Sequence, residues 1–288
     1  MGYQLWTSPV TGYRRTGTRL RELRNLFEDG ITAKAILEPL QSCPSEANAI
    51  EVARLLHDRD FDVAGVQDEA GGEVIGFVFR DSLKAGIVRS HLQKMTSEHL
   101  LSDSTPLANL MPIFRTREHA FVLVGQHVSG IITRADLSKP PVRVYLFGLI
   151  SLLEMHLAYW VEISYPDDSW RERLSGARLA KAEELLANRQ TRRQQTNLVD
   201  CLQFCDKRDL VLANTDLRNS LGLGRKNAAK KFLVKAEKLR DLLAHSQKDL
   251  TEMSSWTELV DVVELVETVV YKSDELVERN AAQSASST

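Results

Sequence analysis

Near the C-terminus, the run KAEKLRDLLAHS brings Arg240, Asp241 and His245 close together in the chain. A guanidinium offers a phosphate a planar fork of donors, and an imidazole exchanges a proton near neutral pH. Asp241 stands one helical turn before His245, so its carboxylate can reach the ring, orient it and raise its basicity. A phosphate clamp beside a proton carrier can cut RNA, and RNA cleavage is the leading expectation. The competing use is structural: Arg240 in an ion pair with Glu237, and His245 favoured by the dipole at a helix C-terminus.

These residues need a helix to carry them, and Arg225 to about Ser246 reads as one long helix. On a regular helix, five residues at about 100° each leave Arg240 and His245 about 140° apart. Either the helix distorts near His245 or two chains contribute. The chain leading to the pair is basic. Leu186–Arg240 carries thirteen bases and five acids, a local net charge of +8, while residues 249–280 carry nine acids and two bases, or −7. A basic segment draws in a phosphate chain, so Arg189, Arg192, Arg193, Lys230 and Lys231 are candidate RNA contacts. The alternative is a solvated basic face paired with the acidic last helix.

The whole chain gives no such sign. Its 288 residues, 43% hydrophobic and 26% charged with net charge −2, fit an ordinary soluble protein of about two domains. Cys43, Cys201 and Cys205 are too few for a disulfide framework. Cys201 and Cys205, one turn apart with no further Cys or nearby His, read as ordinary helix residues, and no metal is expected. No apolar leader opens the sequence and no run approaches 18 uncharged apolar residues, so a cytoplasmic protein without a membrane span is expected.

Between Ile31 and Leu137 the pattern repeats. IEVARLLHDRD, FDVAGV, a turn at DEAGG and EVIGFVF read as helix, strand, turn and strand. PLANLMPIFRTRE, HAFVLVG and HVSGIITRADL repeat the series with a turn about four residues shorter. The duplication resembles a tandem pair of CBS domains, most closely at KMTSEHLLSDSTPLANLM and GIITRADL. The resemblance implies an adenine nucleotide (AMP, ADP or ATP) in the cleft between the units as a regulatory ligand. Thr133 would sit on the phosphate side and Asp136 on the ribose hydroxyls, with Gly130, Arg134 and Thr96 completing the site. A carboxylate accepting from two vicinal hydroxyls suits that task. In the first unit Phe79 and Ser82 stand where Thr133 and Asp136 stand in the second, with Asp81 one position away, so one working site is expected. If the module binds nothing, Asp136 is simply a helix N-cap.

Residues 1–30, with Arg14, Arg15, Arg19, Arg21 and Arg24, read as a lead-in helix docked on the first domain, or as an RNA-contacting arm. SKPPV marks a boundary, its two prolines favouring an extended link. Beyond it the pattern is helix only. Val144–Ile163, apolar nearly all round but interrupted by Glu154, His156 and Glu162, reads as the central helix of a bundle or a dimer seam, with His156 an interior histidine. Pro166 ends that helix, Asp167 or Asp168 caps the next, SWRERLSGARLAKAEELLANRQ, and the tail AAQSASST reads as disordered. The fold expected is α/β plus all-α: residues 1–30 an arm, 31–140 the CBS pair, 141–281 a helical bundle, 282–288 a tail.

An all-α domain carrying R-D-L-L-A-H resembles the HEPN family. That resemblance implies a metal-independent endoribonuclease: His245 as general base or acid, Arg240 clamping the phosphate, and the 2′-hydroxyl as nucleophile. The product would be a 2′,3′-cyclic phosphate, and DNA would be spared. It also implies a homodimer whose two motifs meet at the seam, and a role as a toxin or in defence against phage. Two other readings stay open. DLRNSLGLGRKNAAKKFLVKAEKL could be a helix, a Gly-Leu-Gly turn and a basic recognition helix of a DNA-binding regulator. Alternatively, the protein could be a non-catalytic nucleotide sensor that binds a partner protein.

Overall fold

The computed structural model describes residues 14–193, 196–245, 250, 253 and 255–286. The chain forms two compact units: Phe27–Val142, and Arg143–Thr288 together with Met1–Leu26.

In the Phe27–Val142 unit the repeat closes into two four-stranded sheets. After helix α1 (Leu20–Asp29), strands β1 (Glu38–Pro39) and β2 (Ser42–Pro44) lead to helix α2 (Ala49–Asp58). The Asn48 side chain caps α2, accepting from the backbone N–H groups of Ile50 and Glu51. β3 (Val63–Gln67) and β4 (Val74–Phe79) make the first hairpin, and β5 (Gln93–Lys94) follows. The second half brings β6 (Leu100–Ser102), the short helix α3 (Leu110–Ile113), β7 (His119–Val124) and β8 (His127–Thr133). In each half a parallel pair precedes an antiparallel hairpin with one irregularity, at Val66/Gln67 and at Val122/Leu123. The first hairpin turn runs from Asp68 to Glu73 and the second is Gly125-Gln126, with Gly125 at φ +67°, so the shorter second turn is as expected.

The halves exchange their leading strands. β1 pairs antiparallel with β8, Pro39 opposite Gly130, and β5 pairs antiparallel with β4, Lys94 opposite Gly76. The sheets therefore order as β1-β8-β7-β6 and β2-β3-β4-β5. Phe77 of one sheet meets Phe121 of the other at 5.0 Å between ring centroids, both buried, with Val63 beside them.

The other unit is helical: α4 (Pro140–Ser164, beginning in the first unit), α5 (Gly176–Thr191), α6 (Phe204–Ala213), α7 (Thr215–Ser220), α8 (Lys226–Ala244) and α9 (Trp256–Ser286). α8 packs on α6 and α9. Several expectations are corrected here. The prolines at 140 and 141 open α4 instead of forming an extended link, because a proline in the first turn forfeits no intrahelical bond. Asp167 and Asp168 take left-handed backbone angles, φ +55° and +58°, so the next helix starts at Gly176. Cys201 closes a 3-10 turn and Cys205 lies in the first turn of α6, so they do not share one helix. α9 runs on to Ser286, into the tail expected to be disordered; residues 287–288 lie outside the described residues. By length and composition α4 could cross a membrane, contrary to the expectation from its charges, yet 61% of its most apolar window is buried within protein.

The N-terminal arm belongs with the helical unit, not with the repeat. Arg14 pairs with Asp274, Arg19 with Glu278, and Arg24 with Glu267, while the Leu20 backbone N–H donates to Asp274. Residues 1–13 of the expected arm lie outside the described residues.

Candidate functional site

Of the candidate nucleotide residues, Thr133, Arg134 and Asp136 lie at one end of the second half's sheet, and Gly130 lies within β8. Strand register sets Thr133 of β8 opposite His119 of β7, and Leu100 of β6 opposite Phe121. The 3-10 turn Ser97–His99 therefore enters beside His119, with Thr96 as its cap. Asp136 is 8% exposed. Its Oδ2 accepts from the Thr133 backbone N–H at 2.7 Å and from the Thr133 hydroxyl at 2.9 Å. Its Oδ1 pairs with Lys139 at 2.9 Å, and Lys139 also holds Glu38 and donates to the Ile36 carbonyl. Burial opposes the charge on Lys139, but Glu38 and Asp136 together raise its pKa. A carboxylate offers about four acceptor positions, and three are taken. Asp136 can thus accept from one further hydroxyl, not from the two expected, unless Lys139 swings away.

The other expected contacts have structural work. Gly130 admits the exchanged strand: a Cβ there would lie 3.0 Å from Leu37 and 3.4 Å from the Glu38 carbonyl. Gly76, its counterpart, is tighter, 2.4 Å from the Gln93 carbonyl. Arg134 donates to the carbonyls of Phe114 and Arg115 at 3.2 and 3.3 Å, fixing the end of α3. Thr96 is exposed, and His99 Nδ1 accepts from its backbone N–H at 3.2 Å and faces its hydroxyl at 2.9 Å.

Two residues outside the expected set stand in this corner, His99 and His119. Both rings pack on Phe77, at 5.1 and 6.1 Å, and Phe79 meets His119 edge-on at 5.5 Å. His119 Nε2 is buried without a hydrogen-bond partner among the described residues. Burial lowers the pKa of His119, and His99 lowers it further. Their sequence signal was a histidine at or just before the start of each of two paired strands. In the first half Phe79 occupies the Thr133 position, the Ser82 hydroxyl donates to the Phe79 carbonyl, and Asp81 is exposed beside Arg80. A ring and a serine bonded to backbone replace the hydroxyl–carboxylate pair.

The helical unit arranges Arg240, Asp241 and His245 differently from the expected relay. The adjacent Arg240 takes Asp241, at 2.9 and 3.2 Å, in place of His245. Arg240 also lies 3.6 Å from Glu154 and over the Phe204 ring, and Glu154 holds the buried Lys207 at 3.0 Å. Burial works against the charge on Arg240, but Asp241 and Glu154 raise its pKa overall. Glu237, its expected partner, pairs with Arg208 at 2.6 Å. His245 is exposed and lies past the end of α8, with φ −108° and ψ 103°. Arg143, which the sequence did not single out, caps this terminus by donating to the carbonyls of Leu242, Leu243 and His245.

The candidate RNA contacts divide between two helices. Arg189, on α5, turns to the Thr196 hydroxyl and the Asp200 carbonyl, both at 3.5 Å. Arg192 and the left-handed Arg193 follow it, exposed. Lys230 and Lys231 are exposed on α8, where a depression is lined by Arg225, Lys226, Asn227, Ala228 and Lys231. No group of three or more His, Cys, Asp or Glu among the described residues is placed to hold a metal ion.

The N-terminal region is similar to solved CBS-domain structures. The CBS domain of a bacterial CNNM/CorC-family Mg2+ transporter in complex with ATP is 16% identical, covering 41% of this chain and 90% of that one, with a TM-score of 0.34. CBSX2 from Arabidopsis thaliana, in complex with AMP, is 16% identical over 39% of this chain and 97% of that one, TM-score 0.35. The CBS domains of a transcriptional regulator from Streptococcus pneumoniae are 18% identical over 38% and 98%, TM-score 0.33. No family model matches the chain, and no curated protein matches it.

Proposed function

We propose that the Phe27–Val142 unit is a regulatory sensor for an adenine nucleotide, with one ligand site, at the Thr133–Asp136 corner. The observation that carries this reading is the difference between two corners that the repeat makes equivalent. One has a hydroxyl, a nearly buried carboxylate and a buried imidazole nitrogen in need of a partner; in the other, Phe79 and a serine bonded to backbone stand where the hydroxyl and carboxylate would be. Buried polar groups are costly unless bonded, so a corner that retains them suits a polar ligand. AMP and ATP, which occupy the solved CBS structures named above, are the ligands to try. Thr133 and His119 would face the phosphate, and Asp136 one ribose hydroxyl. Calorimetry with AMP, ADP and ATP should show binding that Asp136→Ala weakens by about tenfold or more, the worth of one charge-assisted hydrogen bond. Binding unchanged by that substitution sinks the site, and no binding by any of the three sinks the reading.

A second reading, RNA cleavage in the helical unit, draws on one observation. α8 ends before His245, so the separation of about 140° imposed by a regular helix does not apply. In this reading Arg240 leaves Asp241 and Glu154 for a phosphate, and His245 moves the proton, either within one chain or across a homodimer. RNA cut without added metal, and left intact by the His245→Ala protein, is the expected result. Native-rate cutting by that variant removes His245 from the chemistry.

A further inference from the structure

The acidic last helix was a possible partner for the basic faces before it, but several of its ion pairs go to the N-terminal arm. On α9, Glu258 holds Lys235, Glu267 holds Arg24, Asp274 holds Arg14, and Glu278 holds Arg19. The N-terminal arm thus takes much of the acid that could have neutralised α8. Lys226, Lys230 and Lys231 are exposed and form no ion pair among the described residues. Asn227, Lys230, Lys231, Val234 and Lys238, all exposed, share one face of α8, while Ala229, Phe232, Leu233, Ala236 and Leu239 are buried on the other. The helix is held firmly. α7 and α8 are joined by a sharp turn with Gly222 and Gly224 at φ +71° and +67°. Arg218 fixes that turn, donating to the Gly224 carbonyl at 2.9 Å and to the Leu212 carbonyl at 2.8 Å, and α6 packs against both helices.

We propose that this outer face of α8 binds duplex DNA, with the helix seated in the major groove and its lysines on the flanking phosphates. The proposal stands apart from the nucleotide reading. From Lys226 to Lys238 the helix rises about 18 Å, enough for about five base pairs, and a helix about 10–12 Å across fits a groove about 12 Å wide. Duplex RNA is a poor fit, because its major groove is too narrow for side chains to read. Single strands are a poor fit as well: they are held by stacking on aromatic rings, and the aromatic residue of α8, Phe232, is buried. Asn227 and Val234 stand within the lysine face, an amide for an adenine edge and an apolar group for a thymine methyl.

The test is fluorescence anisotropy with the full chain and a labelled mixed-sequence duplex of about thirty base pairs, between about 50 and 200 mM salt. Matched single-stranded DNA, duplex RNA and labelled polyglutamate are the comparators. Duplex DNA should bind tightest. Replacing both lysines (Lys230→Ala with Lys231→Ala) should weaken binding by about tenfold and lower the salt slope by about two. The Lys230→Arg with Lys231→Arg protein should retain binding, and a control with Lys84→Ala and Lys181→Ala, both exposed elsewhere, should be unaffected. Circular dichroism checks that each variant is folded. No duplex binding at low salt, equal binding to single-stranded DNA or duplex RNA, equal or tighter binding to polyglutamate, or an unchanged double-alanine protein would each overturn the proposal.

Discussion

His156 is the residue on which the stability of the helical unit should depend most visibly. It is 1% exposed, with Nδ1 against the Ser273 hydroxyl and Nε2 3.7 Å from the Asp274 carboxylate. Burial, helped by the charge on Arg14, pushes its pKa down to about 3. The folded pKa lies below the unfolded value of about 6.5, so protons favour the unfolded chain. The stabilising contribution is complete above that value and shrinks as pH falls toward 3. At pH 5 the loss should be about 2 kcal/mol. Thermal unfolding from pH 7.5 down to pH 5 should show the midpoint falling, and His156→Gln should flatten that slope; a parallel fall in the variant would point to other groups. An interior histidine was legible from its position on an apolar helix. The fate of Asp241 was not. Spacing offered it His245 one turn on and Arg240 next door, and only the conformation at the end of α8 decides between them.

At the scale of the element, the exchanged strands make a sharper demand than any single side chain. Gly76 and Gly130 lie at equivalent places in β4 and β8, each opposite a two-residue strand from the other half. A methyl at Gly76 would meet the Gln93 carbonyl, which is backbone and cannot step aside; at Gly130 the nearest atom is the end of the Leu37 side chain. Gly76→Ala should therefore destabilise by about 2–3 kcal/mol and Gly130→Ala by about 1 kcal/mol or less, as read by urea unfolding. The reverse order would count against close approach as the reason for these glycines. The two halves were legible because alternating and helical apolar patterns are local properties. The exchange was not, since β1 and β5 are two residues each and carry no period of their own. The start of α5 was misplaced for a similar reason. Asp167 and Asp168 adopt left-handed angles, which an aspartate tolerates without announcing.

Across the whole molecule, the unequal spread of charge was plain in the sequence, but its pairing was not. The acids of α9 invited a partner in the basic stretch beside them. Several found theirs in the first 24 residues, at the far end of the chain. The Arg14–Asp274 pair is nearly enclosed, with side chains 9% and 13% exposed. Burial works to raise the pKa of Asp274, and Arg14 opposes that shift. Arg14→Ala should cost the helical unit about 3 kcal/mol, because it strands a carboxylate in a dry setting, and adding Asp274→Asn should restore much of it. Denaturant titration of the single and double variants checks this, and equal losses in the two would show that packing, not charge, ties the arm down.

The strand exchange also has a consequence for synthesis. Pro39 leaves the ribosome long before Gly130, the residue it must lie against. At about 5–20 residues per second, the wait is about five to eighteen seconds. For that time the nascent first half carries a ribbon with nowhere to go. Having no N–H, Pro39 is a poor template for a passing chain during the interval.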